Sequence, residues 1–318
     1  MKPIAISGYP IKAKKKIGGV NRKRNITLLC MALPMLVYTF IFKYLPMGGI
    51  VIAFKSYKYN LGILRSPWAG LKNFSFFLTS PDAWRITRNT LGYNLIFLII
   101  GVVVPVVMAL LLSEVLSKKT LKAYQTAMFI PHFLSWVVVA FIVYAFLNSQ
   151  SGLVNQVFKR FGVAPVDWYV KSKPWVGIVI ISNTWKTMGM STLMYYAALM
   201  GVDKEYYEAA TVEGASKWQL TISITLPFLY PLMTMLTLLG VGSIFTADFG
   251  LFYQLPMNSA LLYPTTDVLD TYVFRALKEN SNIGMSAAAD FFKSIMGFVC
   301  VLLSNIVVRR IDPEMSLF

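Results

Sequence analysis

Apolar residues in this chain gather in long blocks, and each block is closed by polar residues with turn chemistry. A hydrocarbon core of about 30 Å takes about 20 mostly apolar residues as a helix, and blocks of that length recur six times. The first covers residues 28 to about 54 and is interrupted by Lys43 and Pro46, which leaves its outer end open. The others cover residues 90–112, 126–147, 175–200, 226–247 and 285–308. The pattern predicts an all-α integral membrane protein with six transmembrane helices in one domain over residues 28–308. A basic segment over 1–27 precedes it and a short tail over 309–318 follows. No internal repeat or low-complexity linker divides it.

Composition and charge sharpen this picture. Of 318 residues, 56% are hydrophobic and 14% charged, against about 45–50% and 25% in soluble domains, and mean hydropathy is +0.59. The 30 Lys and Arg outnumber 14 Asp and Glu for a net charge of +16. In a water-soluble chain that balance would suggest nucleic acid. Here the apolar majority excludes it, and the basic excess reads as topology. Lys2, Lys12, Lys14, Lys15, Lys16, Arg22, Lys23 and Arg24 precede the first block with no acidic residue among them, which places the N-terminus in the cytoplasm. Six crossings return Arg309 and Arg310 to the same side, and Lys118, Lys119 and Lys122 fall there too. The first outer segment departs from the rule, with Lys55, Lys58, Arg65, Lys72, Arg85 and Arg88. A basic stretch before an apolar one also fits a secretory leader. No A-x-A-like site follows, however, and Lys43-Tyr44-Leu45-Pro46 leads into more apolar chain, so an uncleaved helix is expected.

The chemistry on offer is sparse. Cys30 and Cys300 both lie in apolar runs and no CxxC occurs, so no disulfide framework or structural zinc site is expected. His132 is the single histidine and follows Pro131, which suits packing at a kink. An intramembrane serine protease would have to pair it with Ser191 or Ser286, each in a Gly-Met-Ser run, and no constellation supports that. No G-x-x-x-x-G-K-[ST] run occurs, so the chain has no phosphate-cradling loop of that kind. Aromatic residues stud the outer segments: Trp68, Phe74, Phe76, Phe77 and Trp84, then Trp168, Tyr169 and Trp175, then Phe252, Tyr253, Tyr263 and Tyr272. They suit an interfacial belt or a surface where an external partner docks.

Residues 201–225, between the fourth and fifth blocks, read as helix, break, helix. Asp203 can cap the first helix, with Glu205 in its first turn, and Ser216 can cap the second. Gly214 supplies the break, because glycine takes left-handed angles without strain, and Pro227 bends the chain at the membrane. Tyr206, Tyr207, Ala210 and Gly214 share one face by their spacing. Such a pair suits a lever that plugs into a partner, and equally an ordinary hairpin.

The triplet Glu208-Ala209-Ala210, three residues, Gly214, nine residues and Ile224-x-Leu226-Pro227 resemble the EAA signature of the membrane subunits of ABC importers. The resemblance extends over Phe42-Lys43-Tyr44-x-Pro46-Met47 with Ile52-Ala53-Phe54, Trp68-x-Gly70-Leu71-x-Asn73-Phe74, Trp185-Lys186 ahead of Ala197-Ala198-Leu199, and Asp267 to Val273. These segments are similar to the carbohydrate branch, and within it to permeases for complex oligosaccharides and polysaccharide fragments of the alginate type. The resemblance implies a type I ABC importer permease fold with cytoplasmic coupling helices and no enzymatic activity in this chain. It implies a second permease subunit of a different sequence, two ABC ATPase subunits that bind ATP and Mg, and an extracytoplasmic solute-binding protein that delivers a saccharide. No cofactor is bound by this chain itself. Carried over by position, Glu208, Ala209, Ala210 and Gly214 are the ATPase-coupling residues, flanked by Tyr207 and by Glu213, where the family often has aspartate.

Ionisable groups at membrane depth are costly and usually functional. Asp290 and Lys293 stand one turn apart and can pair, and Lys43 can reach the surface. Lys186 and Asp248 lack such an explanation. With Asp290 they could form the relay of an ion-coupled transporter, the rival reading. Sugars need aromatic faces and fixed polar groups, and Asn183, Trp185, Tyr195, Phe245, Asp248, Phe249 and Tyr253 offer both as a substrate pathway. Ordinary helix packing accounts for the aromatic members equally well.

Overall fold

A computed structural model describes residues 20–75 and 80–316. Phe76, Phe77 and the lysines ahead of residue 20 lie outside the described residues. The chain divides into two units, Met1–Val51 and Ile52–Phe318.

In the first unit, helix α1 (Val20–Thr39) carries Pro34 inside it and passes into a π-helical turn at Phe40–Tyr44 and then into 3-10 turns over Leu45–Phe54. The interruptions expected at Lys43 and Pro46 are absorbed by these changes of helical pitch, so the span is continuous over Asn25–Phe54.

In the second unit, α2 (Pro81–Ser113) begins well before the apolar block, because Ser80 accepts a hydrogen bond from the Asp82 amide, Pro81 opens the first turn and Asp82 suits the helix dipole. The third block goes further than the span over 126–147 with a kink at Pro131 that the sequence suggests. It is a broken pair, α3 (Lys118–Phe133) and α4 (Trp136–Leu147), bent by 102°. Pro131 weakens the last turn of α3, Leu134 and Ser135 turn extended, and the Ser135 hydroxyl caps α4 by accepting from the Val138 amide. Helix α5 (Leu153–Arg160) follows, then α6 (Trp175–Leu199). Helix α6 is long enough to cross, but the four single helices among the described residues that are both long and apolar enough do not include it.

Beyond α7 (Lys204–Val212), α8 runs over Lys217–Gly242. It starts earlier than expected, because a π-helical turn at Thr221–Thr225 precedes Pro227 and widens the helix where the proline ring would crowd the preceding turn. The chain closes with α9 (Phe249–Gln254), α10 (Leu269–Asn280) and α11 (Ile283–Ile311).

Helix α6 packs along α2 and α3, and α11 packs against α8. Two glycines set these contacts. A Cβ at Gly189 would overlap the Met128 carbonyl of α3, and one at Gly297 would overlap the Gly242 carbonyl of α8. The core at the α7 end joins Val106, Ala109, Tyr195, Leu199 and Leu229. At the opposite end Tyr93, Val139, Trp175, Leu251 and Phe252 form a second core, so Trp175 and Phe252 are interior residues while Trp68 and Trp84 stay exposed.

Candidate functional site

The loop after α6 takes the form its sequence predicts. Asp203 caps α7 through the Glu205 amide at 3.1 Å, Gly214 takes φ +85°, and Ser216 with Gln219 closes a capping box. Four expected coupling residues, Glu208, Ala209, Glu213 and Gly214, are exposed, while Tyr207 and Ala210 are half-buried. Tyr206, Val212 and Trp218 add apolar surface at 59%, 89% and 72% exposure. The loop is nevertheless fastened. Tyr207 Oη meets Thr225 Oγ1 at 3.1 Å, and Lys217 pairs with Glu114 at the end of α2. A cavity of about 810 Å³ between the loop and α2 is lined by Glu114, Tyr207, Lys217, Trp218 and Thr225 among others.

Polar groups in and beside the spans separate into two sets. In the first, Asn183, Lys186, Thr187, Met190 and Met194 recur at helical spacings of three and four on one face of α6, and none is buried. A cavity of about 310 Å³ continues this side, lined by Asn94, Ser191, Met194 and Ser243. Lys186 Nζ donates to the His132 carbonyl at 2.9 Å and lies 5.3 Å from the Trp136 ring centroid. The Trp136 indole N–H donates in turn to Asp248 Oδ2 at 2.8 Å. Asp248 Oδ1 caps α9 by accepting from the Leu251 amide at 3.1 Å. Just beyond, Phe249 and Tyr253 stack at 4.8 Å and both pack against Phe274.

The second set is a salt-bridge network. Lys293 meets Asp270 at 2.6 Å and Asp290 at 2.7 Å, and Asp270 Oδ2 accepts from the Ala247 amide. Asp267, fully buried, takes Arg275 at 2.7 Å, Arg85 at 3.3 Å and the Thr271 hydroxyl. Arg275 also stacks over Tyr263 at 4.0 Å. Burial holds the Tyr263 phenol above its ordinary pKa, while Arg275 pulls the other way.

Several pathway candidates are relocated. Tyr195 is fully buried in the core at the α7 end, and Phe245 is buried against Phe292, so neither presents a surface. Trp185 lines an apolar cavity with Met128 and Pro131, on the other side of α6 from Asn183 and close to exposed Ile181. Asn183, Asp248, Phe249 and Tyr253 keep accessible surface. Trp136 and Thr187 were missed; the i+4 spacing from Asn183 to Thr187 was the available signal for the second. The three carboxylate and ammonium groups of the rival reading do not form a relay, since Asp290 belongs to the Lys293 network while Lys186 and Asp248 meet through Trp136. Ser286 bonds to the Val273 and Asn282 carbonyls, and His132 stacks on Phe129, so no serine–histidine pair forms there. Among the described residues no group of three or more His, Cys, Asp or Glu could hold a metal.

A broken span and an exposed helical loop fastened to two spans suit a membrane transport subunit. Residues 101–317 match the family described as binding-protein-dependent transport system inner membrane component, and the chain belongs to that family. It is 34% identical over 303 residues to the polygalacturonan/rhamnogalacturonan transport system permease protein YteP of Bacillus subtilis, covering 95% of this chain and 94% of that one. It is 32% identical over 292 residues to Protein LplB of the same organism, covering 92% and 91%. Among solved structures it is similar to a chain of a bacterial ABC transporter involved in import of the acidic polysaccharide alginate. There the TM-score is 0.83 at 34% identity, with 92% of this chain and 98% of that chain covered. A second structure of the alginate transporter, in complex with an alginate pentasaccharide-bound periplasmic protein, matches with a TM-score of 0.83.

Proposed function

We propose that this chain is a membrane-spanning permease subunit of an ATP-driven importer that moves an oligosaccharide or polysaccharide fragment into the cytoplasm by alternating access. The chain is a transport subunit and not an enzyme. The observation that carries the reading is the exposed Lys204–Val212 helix with its Gly214 break, fastened to one span by Tyr207–Thr225 and to another by Lys217–Glu114. A rigid, exposed lever joined to two spans can pass a partner's movement into the membrane, which is what coupling to a separate ATPase requires.

In this reading the polypeptide crosses six times, with the third crossing broken and the fourth made by the polar α6. The loop and both termini face the cytoplasm of a bacterial cell. Glu208, Ala209, Ala210 and Gly214 seat in one of two ATPase subunits, flanked by Tyr207 and Glu213, and ATP and Mg bind on those subunits. A second permease chain of different sequence closes the pathway, and an extracytoplasmic binding protein delivers the saccharide. The saccharide transport carried out by YteP and by the alginate importer supports a saccharide cargo.

Purification of the tagged chain in mild detergent, with mass spectrometry of what accompanies it, tests the assembly. Recovery of a second permease and an ATPase, with ATP hydrolysis stimulated by a saccharide-loaded binding protein, is the expected result. A chain recovered alone, under conditions where a control importer stays whole, overturns it.

A further inference from the structure

The two cations on α6 and α11 are treated very differently. Lys293 is nearly buried between the carboxylates of Asp270 and Asp290. Lys186 forms no ion pair among the described residues. Its ammonium rests on the His132 carbonyl at the end of α3 and over the Trp136 ring. The end of a helix supplies only about half a negative charge, and a neutral side chain could donate to the same carbonyl. Holding a full charge at membrane depth against lipid would cost several kcal/mol. Lys186 is half-buried on the face it shares with Asn183 and Thr187, so it belongs to a wetted surface. Exposed Ile181 and the apolar cavity beside Trp185 occupy the other side of the helix.

The nearby carboxylate forms no direct ion pair with it. Asp248 has one oxygen committed to the Leu251 amide and the other to the Trp136 indole. The indole is thus bonded to the acid and lies beneath the ammonium, which keeps both groups in place without joining them. The result is a fixed ammonium with no direct carboxylate contact, beside Asn183 and Thr187, whose side chains can bond hydroxyls.

We propose that Lys186 is a specificity-determining residue that selects saccharides carrying carboxylates, with its ammonium taking a uronate carboxylate from the chain in transit. This deepens the saccharide-permease reading and rests on it. Charge-assisted contact with a carboxylate is about twice as strong as a neutral hydrogen bond, so the site discriminates by charge more than by sugar shape.

The test uses the complete importer in proteoliposomes with its binding protein, and two probes of equal length: a galacturonate pentasaccharide and the same pentasaccharide fully methyl-esterified. The binding protein is common to all variants, so a change in the acid-to-ester ratio reports the permease. Lys186→Gln is expected to lower the acid-to-ester ratio of uptake rates by about tenfold or more, the scale of one charged contact, and Lys186→Arg to retain the preference. If Lys186→Gln lowers uptake of both probes equally, the residue only holds the helix end and the proposal fails. It fails equally if the ratio is unchanged, or if the unaltered importer moves the ester but not the acid. An unaltered importer that moves neither probe overturns the saccharide reading beneath it.

Discussion

Tyr207 Oη and Thr225 Oγ1 lie 3.1 Å apart, so the loop helix α7 is bonded to the π-helical turn through which α8 enters the membrane. The Thr225 hydroxyl also reaches the Leu220 carbonyl at 3.3 Å, a bond within the widened turn itself. Movement of α7 is therefore passed to the one stretch of α8 whose helical bonding is already irregular. Tyr207→Phe removes a hydrogen bond of about 0.5–1.5 kcal/mol and leaves the ring in place. The expected outcome is normal insertion and ATPase recovery, with saccharide-stimulated ATP hydrolysis lowered severalfold. Unchanged stimulation would show that the bond transmits nothing.

Gly214 holds the angle between α7 and α8 at φ +85°, with nothing within 4 Å of a Cβ placed there. Space is available, so backbone strain is the whole cost. Gly214→Val is expected to impose about 1–2 kcal/mol or more and to uncouple transport from ATP hydrolysis, while Gly214→Asn, which tolerates left-handed angles better, retains part of it. Comparison of uptake and ATPase rates in the two variants checks this.

Glu208 is exposed on α7 and makes no ion pair among the described residues. Glu208→Lys should leave the folded permease as thermally stable as before. Co-purification of the ATPase is expected to fall sharply. Full recovery of the ATPase with this variant would remove Glu208 from the contact.

The close crossing of α6 over α3 tolerates no side chain at Gly189, where any Cβ would overlap the Met128 carbonyl. Gly189→Ala is expected to cost about 1–3 kcal/mol by forcing the helices apart, read as a lower melting temperature in detergent. Gly177→Ala, at the other end of the same helix with open space around it, is the control and should be neutral or slightly stabilising.

Asp267 and Asp290 make opposite predictions. Asp267 is fully buried against Arg275 and Arg85, so Asp267→Asn leaves Arg275 nearly buried and short of its counter-charge, at a cost of about 3–5 kcal/mol, and should abolish folded yield. Asp290 is 66% exposed and Lys293 keeps Asp270 without it. Asp290→Asn should cost less than about 1 kcal/mol. Folded yield and thermal melting of the two variants separate them.

What the sequence made legible was whatever depends on local chemistry. The caps at Asp203 and Ser216 and the left-handed Gly214 follow from residue type and spacing alone, and all three are present. The Asp290–Lys293 pair was equally visible as a one-turn spacing, but its third member, Asp270, comes from a different helix. Pro131 signalled a kink, but the full break at Leu134–Ser135 was not legible because hydropathy runs unbroken through it and a proline can sit in a continuous helix, as Pro105 does in α2. The burial of Tyr195 was not legible because sequence shows that a ring lies in a span and not which side of the helix it occupies. Trp136 went unnoticed because its partners, Lys186 and Asp248, are distant in sequence.

The 102° bend has a consequence for span length. Helix α4 has only 12 residues, a rise of about 18 Å, which is too short to cross a hydrocarbon core of about 30 Å unaided. Helix α4 therefore needs α3 to complete a crossing. A substitution that parts α6 from α3, such as one at Gly189, would therefore also disturb the broken pair that the bend creates.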